Sequence, residues 1–332
     1  MGSFENAWKQ NISMLAAGMF QKPITQIIQM RASINPEKEF KKIDEHGMWL
    51  ITEDDTSFPS SLREIPHAPL ILYGKGTVPD TSRTMIGVVG TRRPTAYGKE
   101  VAETITEQLA RAGMTIVSGL AVGIDTIAHE AALSARAPNI AVIGSGIDEH
   151  SLFPQENVLL SQRIIQSGGT IFSEYGPGTP ARKEYFPLRN RIIAGLSRGI
   201  FVAEARERSG ALITAQFALE QNRDVFAAPG SIFSPTSAGP NLLIQQGAKL
   251  VISARDICED WGMTQTQTTA ATTQNLDNNE KTVVELLEQE LSIDDLHEKT
   301  GIETSLLMSV LTLLELKGYV RQSGNNIYRR VS

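Results

Sequence analysis

The middle of the chain alternates short apolar runs with segments in which apolar residues recur at helical spacing. Runs typical of buried strands lie at residues 85–89, 114–118, 140–143, 170–173, 199–203, 224–227 and 249–252. Helical spacing fills several intervals between them, at residues 99–111, 125–135, 157–166 and 211–220. Strands that alternate with helices predict an α/β fold with a doubly wound, mostly parallel sheet.

The flanking patterns predict three further segments around an α/β domain at residues 49–262. Residues 1–48 carry apolar positions at helical spacing, among them Phe4, Trp8 and Ile12, and predict a small helical module. Residues 263–279 are rich in Thr and Gln and are expected to form a flexible linker. Residues 280–332 show three helical segments and a two-stranded wing about Gly324, which is a winged-helix pattern.

Composition places the chain among ordinary globular proteins, with 41% apolar and 20% charged residues in 332. The net charge of -6 means that any nucleic-acid binding has to come from a local basic patch. Cys258 is the single cysteine, which excludes an internal disulfide and fits a reducing compartment. The apolar run at residues 12–20 is too short to span a bilayer. The predicted location is therefore the cytoplasm, with no membrane contact.

In doubly wound sheets, ligands bind beyond the carboxyl ends of the strands, so the residues that follow each strand are the first candidates. Gly90 opens a turn that contains Arg92, Arg93 and Thr95, which are phosphate donors in front of a helix. The same residues are equally compatible with a plain capped turn. The dinucleotide-binding pattern of three glycines is absent from this segment, which disfavours a nicotinamide cofactor.

Three polar residues near the other strand ends admit either a catalytic or a structural role. Asp125 and His129 share a helical face behind the glycine turn at Gly119, and they suit acid–base chemistry or a purely orienting hydrogen bond. Glu174 is either a general base or an anchor for an arginine. The structural role is favoured for Asp125 and His129 because neither a nucleophile nor a set of metal ligands accompanies them. Ser209 and Thr214 fit a helix start that favours phosphate.

The segment at residues 183–197 is the most distinctive part of the chain. It combines Lys183, Phe186, Arg189, Asn190 and Arg191 in what is expected to be a loop leading into a short apolar helix. Residues 182–208 hold seven basic and three acidic side chains, a local charge of +4. Cations and flat rings together suit a phosphodiester backbone with bases to stack.

The winged-helix segment has the opposite charge. Residues 277–332 hold ten acidic and six basic side chains, and the expected recognition helix at residues 305–314 has no base. DNA binding is the default for this fold, but a module of this charge is expected to bind protein instead.

Taken together, these blocks resemble the DprA/Smf family, the DNA-processing proteins of natural transformation. The matching blocks lie at residues 89–92, 118–129, 186–197, 208–227, 229–231 and 239–244, within a match over about 49–261. The resemblance implies an extended Rossmann-like domain that binds single-stranded DNA, self-associates as a homodimer and helps to load the recombinase RecA. It assigns the DNA pocket to the positions of Arg92 or Arg93, Lys183, Phe186, Arg189 and Arg191.

Two positions depart from the family pattern. Many relatives carry a basic residue where this chain has Val122, and the resemblance therefore implies one DNA contact fewer at that position. The N-terminal module is shorter than the sterile-alpha-motif-like unit of some relatives.

The expected function is a single-stranded DNA-binding recombination mediator without catalytic residues, cofactor or metal. Its DNA-binding residues are expected to be Gly90, Arg92, Arg93, Thr95, Gly119, Lys183, Phe186, Arg189, Asn190, Arg191, Ser209 and Thr214, with Asp125, His129 and Glu174 as structural loop anchors. The alternatives are a nucleotide or nucleoside-phosphate hydrolase on a related fold, and an adaptor that works through the winged helix alone.

Overall fold

The computed structural model describes residues 29–263, 277–287, 289–316, 319–324 and 326–330. Two compact units divide the chain between Met263 and Thr264. The first part of the predicted helical module, residues 1–28, lies outside the described residues. Most of the predicted linker, residues 264–276, also lies outside them. The described part of that module contains α1 (Pro36–Glu45), whose cap Asn35 accepts a hydrogen bond from the Lys38 amide at 3.0 Å.

A nine-stranded sheet forms the centre of the first unit. In chain order its strands are β1 (Trp49–Thr52), β2 (Ile71–Gly76), β3 (Met85–Val89), β4 (Thr115–Ser118), β5 (Asn139–Ile143), β6 (Thr170–Ser173), β7 (Gly199–Val202), β8 (Asp224–Ala227) and β9 (Lys249–Leu250). Their order across the sheet is β1-β2-β6-β5-β4-β3-β7-β8-β9. The seven strands β6-β5-β4-β3-β7-β8-β9 are parallel to one another. At one edge of the sheet, β2 pairs antiparallel with both β6 and β1. The predicted doubly wound, mostly parallel sheet is confirmed.

Helices cover both faces of this sheet. They are α2 (Ser60–Arg63), α3 (Ala96–Arg111), α4 (Ile124–Ser134), α5 (Val158–Gln166), α6 (Tyr185–Leu196), α7 (Gly210–Glu220), α8 (Ala238–Gln245) and α9 (Ala254–Asp260). On one face, α6 and α7 bury Ile192, Ile193 and Ala215. On the other face, α3 and α4 bury Leu109 and Ala128. Strands that are buried on both sides explain the continuous apolar runs of the sequence.

The segment at residues 183–197 corrects one prediction. It is helical from Tyr185 onwards, so Phe186, Arg189, Asn190 and Arg191 lie on α6 and not in a loop before it. Pro187 suggests a loop in the sequence, but it occupies the first turn, where the missing amide hydrogen has no partner within the helix.

The order of the strands defines a switch point beside β3. The chain passes from β3 to β4 and onwards to β6 on one side, and then crosses to β7 on the other side. Connections that leave β3 and β7 in opposite directions open a crevice at the carboxyl edge of the sheet. The loops that begin at Gly90 and Glu204 meet there, and the Thr91 amide donates to the Glu204 carbonyl at 2.7 Å.

The second unit is a winged helix with helices α10 (Asn278–Leu286), α11 (Ile293–Thr300) and α12 (Thr304–Leu316). Its sheet has the order β10-β12-β11, formed by β10 (Leu291–Ser292), β11 (Val320–Gly324) and β12 (Ile327–Arg330). The first of these helices ends at Leu286, and Leu291 pairs with Tyr328 in this sheet. Val283, Leu296 and Leu311 are buried in the core of this unit.

Among the described residues, no helix combines the length and the apolarity that crossing a membrane requires.

Candidate nucleic-acid interface

Two aromatic rings and one guanidinium group meet at the carboxyl edge of the sheet. The Arg92 guanidinium carbon lies 5.6 Å from the centroid of the Phe186 ring, which is cation–π range. The Phe153 ring lies 5.6 Å from Phe186 at an interplanar angle of 47°. Arg92 and Phe153 are exposed and Phe186 is half-buried, so a flat ligand can reach these rings.

Two clefts meet at these rings, because Phe153 and Phe186 line both. The smaller cleft, about 130 Å³, has Arg92, Gly119, Val122 and Arg189 among its walls. The larger cleft, about 380 Å³, is lined by Arg182 and Lys183, both exposed, and by His150. We call the surface formed by Arg92, Phe153, Arg182, Lys183 and Phe186 the basic groove. Val122 adds no charge to it.

The neighbouring tyrosine is less available than the phenylalanines. The Tyr185 ring stacks on Tyr175 with 4.0 Å between centroids, and the Arg182 guanidinium lies 5.8 Å from its centroid. Its ring face is therefore occupied by protein groups.

Arg189 lies at the floor of the smaller cleft and is only 5% exposed. Its Nη1 donates to the carbonyl of Gly119 at 2.6 Å and to the carbonyl of Val142, and its Nε donates to Asn190 Oδ1 at 3.2 Å. Burial lowers the pKa of Arg189 to about 10, while the Asp125 carboxylate opposes that shift. This side chain holds the floor of the cleft and is turned towards protein acceptors.

Gly119 occupies the narrow space between Arg189 and Asp125. A Cβ at this position would lie 2.6 Å from Arg189 Nη1 and 2.7 Å from Asp125 Oδ2. Asp125 Oδ2 accepts from the amides of Gly119 at 3.2 Å and Ala121 at 3.3 Å. Burial raises the pKa of Asp125 to about 6, and the charge of Arg189 counteracts the rise. Asp125 therefore fixes the turn that borders the cleft.

Arg191 is also turned inward and is engaged on three sides. Its Nη2 bonds Glu174 Oε1 at 2.7 Å, its Nε donates to the His67 carbonyl at 2.9 Å, and its Nη1 donates to the Leu188 carbonyl at 3.2 Å. The Arg191 side chain is 9% exposed and that of Glu174 is 27% exposed. These contacts join α6 to the segments that precede β2 and follow β6. Arg191 does not present a donor to the basic groove.

Asn190 and Thr214 are likewise engaged with protein groups near the start of α7, whereas Ser209, within the described part of the chain, is not. Asn190 Nδ2 donates to the Gly210 carbonyl at 3.3 Å, and Thr214 Oγ1 donates to the same carbonyl at 3.2 Å. Ser209 occupies the cap position of α7 without a side-chain cap bond. Its buried Oγ has no hydrogen-bond partner among the described residues.

Glu204 ties the turn after β3 to its neighbours. Thr95 donates to this carboxylate from its amide at 2.9 Å and from its hydroxyl at 2.8 Å, and Thr95 Oγ1 also caps α3 by accepting from Gly98 at 3.1 Å. Gly90 is required by packing, since a Cβ there would lie 2.5 Å from Ile124 Cγ1. Arg92 and Arg93 remain exposed on this turn.

The hydrogen bond between Asp125 and His129 that the sequence allows is not formed. His129 Nδ1 bonds Asn139 Oδ1 at 2.6 Å, and Asn139 Nδ2 donates to the His129 carbonyl at 3.0 Å. Burial lowers the pKa of His129 to about 4. With Glu174 bound to Arg191, each candidate base of the hydrolase alternative has a contact within the protein.

The structure brings Arg92, Lys183 and Phe186 together at the groove and adds two side chains that the sequence-based set omitted. Phe153 follows a strand end and precedes a proline, and Arg182 adjoins Lys183. Their shared signal is an aromatic or basic side chain in a loop that follows a strand; the sequence shows this placement but not the exposure. Asn190, Arg191 and Thr214 lie behind this surface.

Comparison with known families covers both units. A model described as DNA recombination-mediator protein A matches residues 49–262, and one described as the DprA winged helix domain matches residues 267–326. The chain is 41% identical over 263 residues to the DNA processing protein DprA of Bacillus subtilis, covering 76% of this chain and 88% of that protein. It is 45% identical over 224 residues to DprA of Streptococcus pneumoniae, covering 68% and 76%.

Solved structures agree with this comparison. The crystal structure of DprA from S. pneumoniae matches with a TM-score of 0.68 and 39% identity, over 76% of this chain and 87% of that one. DNA processing protein A from Helicobacter pylori, whose structure describes a single-stranded DNA binding mode, matches with a TM-score of 0.56 and 29% identity. That match covers 64% of this chain and 95% of the other.

Proposed function

Because this chain belongs to the DNA recombination-mediator protein A family, DprA/Smf, we propose that it binds single-stranded DNA in the basic groove. The observation that carries the proposal is the cluster of Arg92, Phe186 and Phe153, with 5.6 Å between each neighbouring pair. Rings that are accessible on one side and cations beside them suit a strand whose bases are not paired. The single-stranded DNA binding mode described for the H. pylori relative supports this assignment.

The role that we propose for each side chain follows from its exposure to solvent. Arg92, Arg93, Arg182 and Lys183 are exposed and contact phosphates, while Phe186 and Phe153 stack against bases. Arg189, Asn190 and Arg191 act one layer below by holding α6 and the groove floor in place. No covalent step is needed for this function, so the protein acts as a binding protein and not as an enzyme.

Salt dependence and strand preference test this proposal. About four phosphate contacts predict a log–log slope of affinity against salt near -3 for single strands. Fluorescence anisotropy with oligothymidylate and with a duplex, each at two salt concentrations, measures both quantities. A slope near zero, or equal affinity for the duplex, contradicts the proposal.

We extend the proposal to recombination in natural transformation. Membership in the family supports a protein that acts in the cytoplasm as a homodimer, protects incoming single strands and helps to load RecA. The expected result is faster assembly of RecA on a single strand in the presence of this protein. An unchanged assembly rate at saturating protein contradicts this part while leaving DNA binding intact.

We assign the winged helix to protein binding. Leu306, Met308 and Leu313 are each about half exposed along α12, where a DNA-reading helix would carry polar or basic groups. The acidic balance of residues 277–332 supports the same assignment. A chain that ends at Met263 is then expected to keep the full affinity for oligothymidylate; loss of binding would favour the adaptor alternative.

A further inference from the structure

Two apolar side chains protrude from the tip of the loop that follows β8. Ile232 is 83% exposed and Phe233 is 89% exposed. Neither residue belongs to a hydrophobic core cluster of the described residues, and the core residues that flank them in sequence are Ala228 and Leu243. Two adjacent apolar side chains exposed to this degree are a candidate contact for a ligand or a partner.

The two ends of this loop are held firmly. Asn241 accepts from the Gly230 amide at 3.2 Å and donates to the Gly230 carbonyl at 3.0 Å. The Tyr97 hydroxyl bonds the Pro229 carbonyl, and Thr236 bonds the Glu204 carboxylate. The tip is therefore presented by an ordered base, which lowers the entropic cost of using it for binding.

The loop lies at the same edge of the sheet as the basic groove. β8 runs parallel to β7, and β7 runs parallel to β3, so their carboxyl ends share one edge. The Ala205 amide donates to the Thr236 carbonyl at 2.7 Å, which joins this loop to the one after β7. Glu204 joins both loops to Thr95 in the turn that carries Arg92 and Arg93.

The loops that are connected to this tip carry basic side chains. Arg93, Arg206 and Arg208 are exposed on the two loops that Glu204 connects to it, and Glu207 is the acidic side chain between the latter two. Phe186 in the basic groove likewise combines an accessible ring with a cation, Arg92, that comes from a neighbouring loop. A polyanion with flat groups matches both places, whereas three arginines disfavour an apolar protein surface.

We propose that Phe233 is a second base-stacking platform for the same single strand, with Arg93, Arg206 and Arg208 contacting the phosphates between the two rings. This inference rests on the proposed function, because it extends the path of a strand that is already bound in the basic groove. It predicts two binding segments, so short and long oligonucleotides report on different residues.

The test measures the affinity of the full chain for oligothymidylates of about 6 and about 15 nucleotides, which lie towards the two ends of the range of common site sizes. F233A is expected to weaken binding of the long oligonucleotide about tenfold, the order expected for one stacked base, and to leave the short one unchanged. F40A is the matched control, since Phe40 lies on α1 and is 61% exposed. It is expected to change neither affinity.

A second readout places the base on the ring directly. The tryptophan emission of F233W is expected to be quenched by the long oligonucleotide and not by the short one. Equal affinities of F233A and the parent chain for the long oligonucleotide, with unquenched F233W, overturn the inference. So does a change in self-association of F233A without a change in DNA affinity. If the parent chain binds neither oligonucleotide, the proposed function itself fails.

Discussion

The guanidinium group of Arg92 lies over the ring of Phe186, with 5.6 Å between the guanidinium carbon and the ring centroid. The two side chains come from different elements, the turn after β3 and the first turn of α6. A cation and a ring that meet across the switch point offer one contact to phosphate and another to a base.

Replacing Arg92 by Ala is expected to weaken oligothymidylate binding about tenfold, because a charge-assisted phosphate contact is lost. The salt slope should become shallower by about 0.7, the share of one phosphate on a single strand. Anisotropy titrations at several salt concentrations measure both. R83A is the matched control, since Arg83 is exposed and precedes β3 at the opposite edge of the sheet. An equal loss in both variants would mean that general charge, and not the groove, sets the affinity.

Replacing Phe186 by Leu separates stacking from packing. Leucine keeps apolar bulk against Phe153 but offers no ring face to a base. F186L is expected to lose about as much affinity as F186A, in the range of about 5- to 100-fold, while unfolding at a higher urea concentration than F186A. If F186L binds like the parent chain, Phe186 acts only through packing.

Replacing Arg191 by Ala is expected to lower the free energy of unfolding by about 3 kcal/mol, because Glu174 and two carbonyls lose their partner. R191K should recover little, since one ammonium cannot reproduce the geometry of the guanidinium fork. Urea unfolding measures this, with R182A as the exposed control. An R191A protein of unchanged stability that no longer binds DNA would restore Arg191 to the direct contacts expected from the sequence.

Asp125 is expected to make stability depend on pH in an unusual direction. Its pKa is raised to about 6, so the folded state holds a proton there that the unfolded state releases near pH 4. Relative to D125N, the parent chain should lose up to about 3 kcal/mol of stability as the pH rises from 4 to above 6. His129, with its pKa lowered to about 4, acts oppositely by losing stability as the pH falls through the same window.

The difference between the parent chain and D125N removes the His129 contribution, which is common to both proteins. Urea unfolding of the two proteins at several pH values measures this difference. A difference that is flat between pH 4 and 7, or that grows in favour of the parent chain, would contradict a raised pKa for Asp125.

Apolar periodicity was enough to predict the sheet. Residues 170–173 and 224–227 are strands with the predicted bounds. A strand that is buried on both faces is a continuous apolar run, which can be recognised without knowing the strands that it pairs with. The start of α6 was not predicted, because a proline is compatible both with a loop and with a first helical turn. Only the packing of α6 against the sheet decides between these.

The sequence could indicate which residues gather at the sheet edge but not which way they face. Arg189 and Arg191 are two positions apart on a helix that is buried over most of its surface, so both turn inward to different partners. The spacing of Asp125 and His129 allows a mutual hydrogen bond, yet Asn139, ten residues further along the chain, bonds His129 instead. Competition of this kind depends on distances that one-dimensional spacing does not contain.

Glu204 restricts the relative motion of the loops that follow β3, β7 and β8. One carboxylate receives hydrogen bonds from Thr95 and Thr236, which belong to loops far apart in the chain. Those loops cannot move independently of each other while their hydrogen bonds to the Glu204 carboxylate are formed. A strand that is bound across these loops meets contact points at fixed separations. The strand, and not the protein, has to change its conformation to fit them.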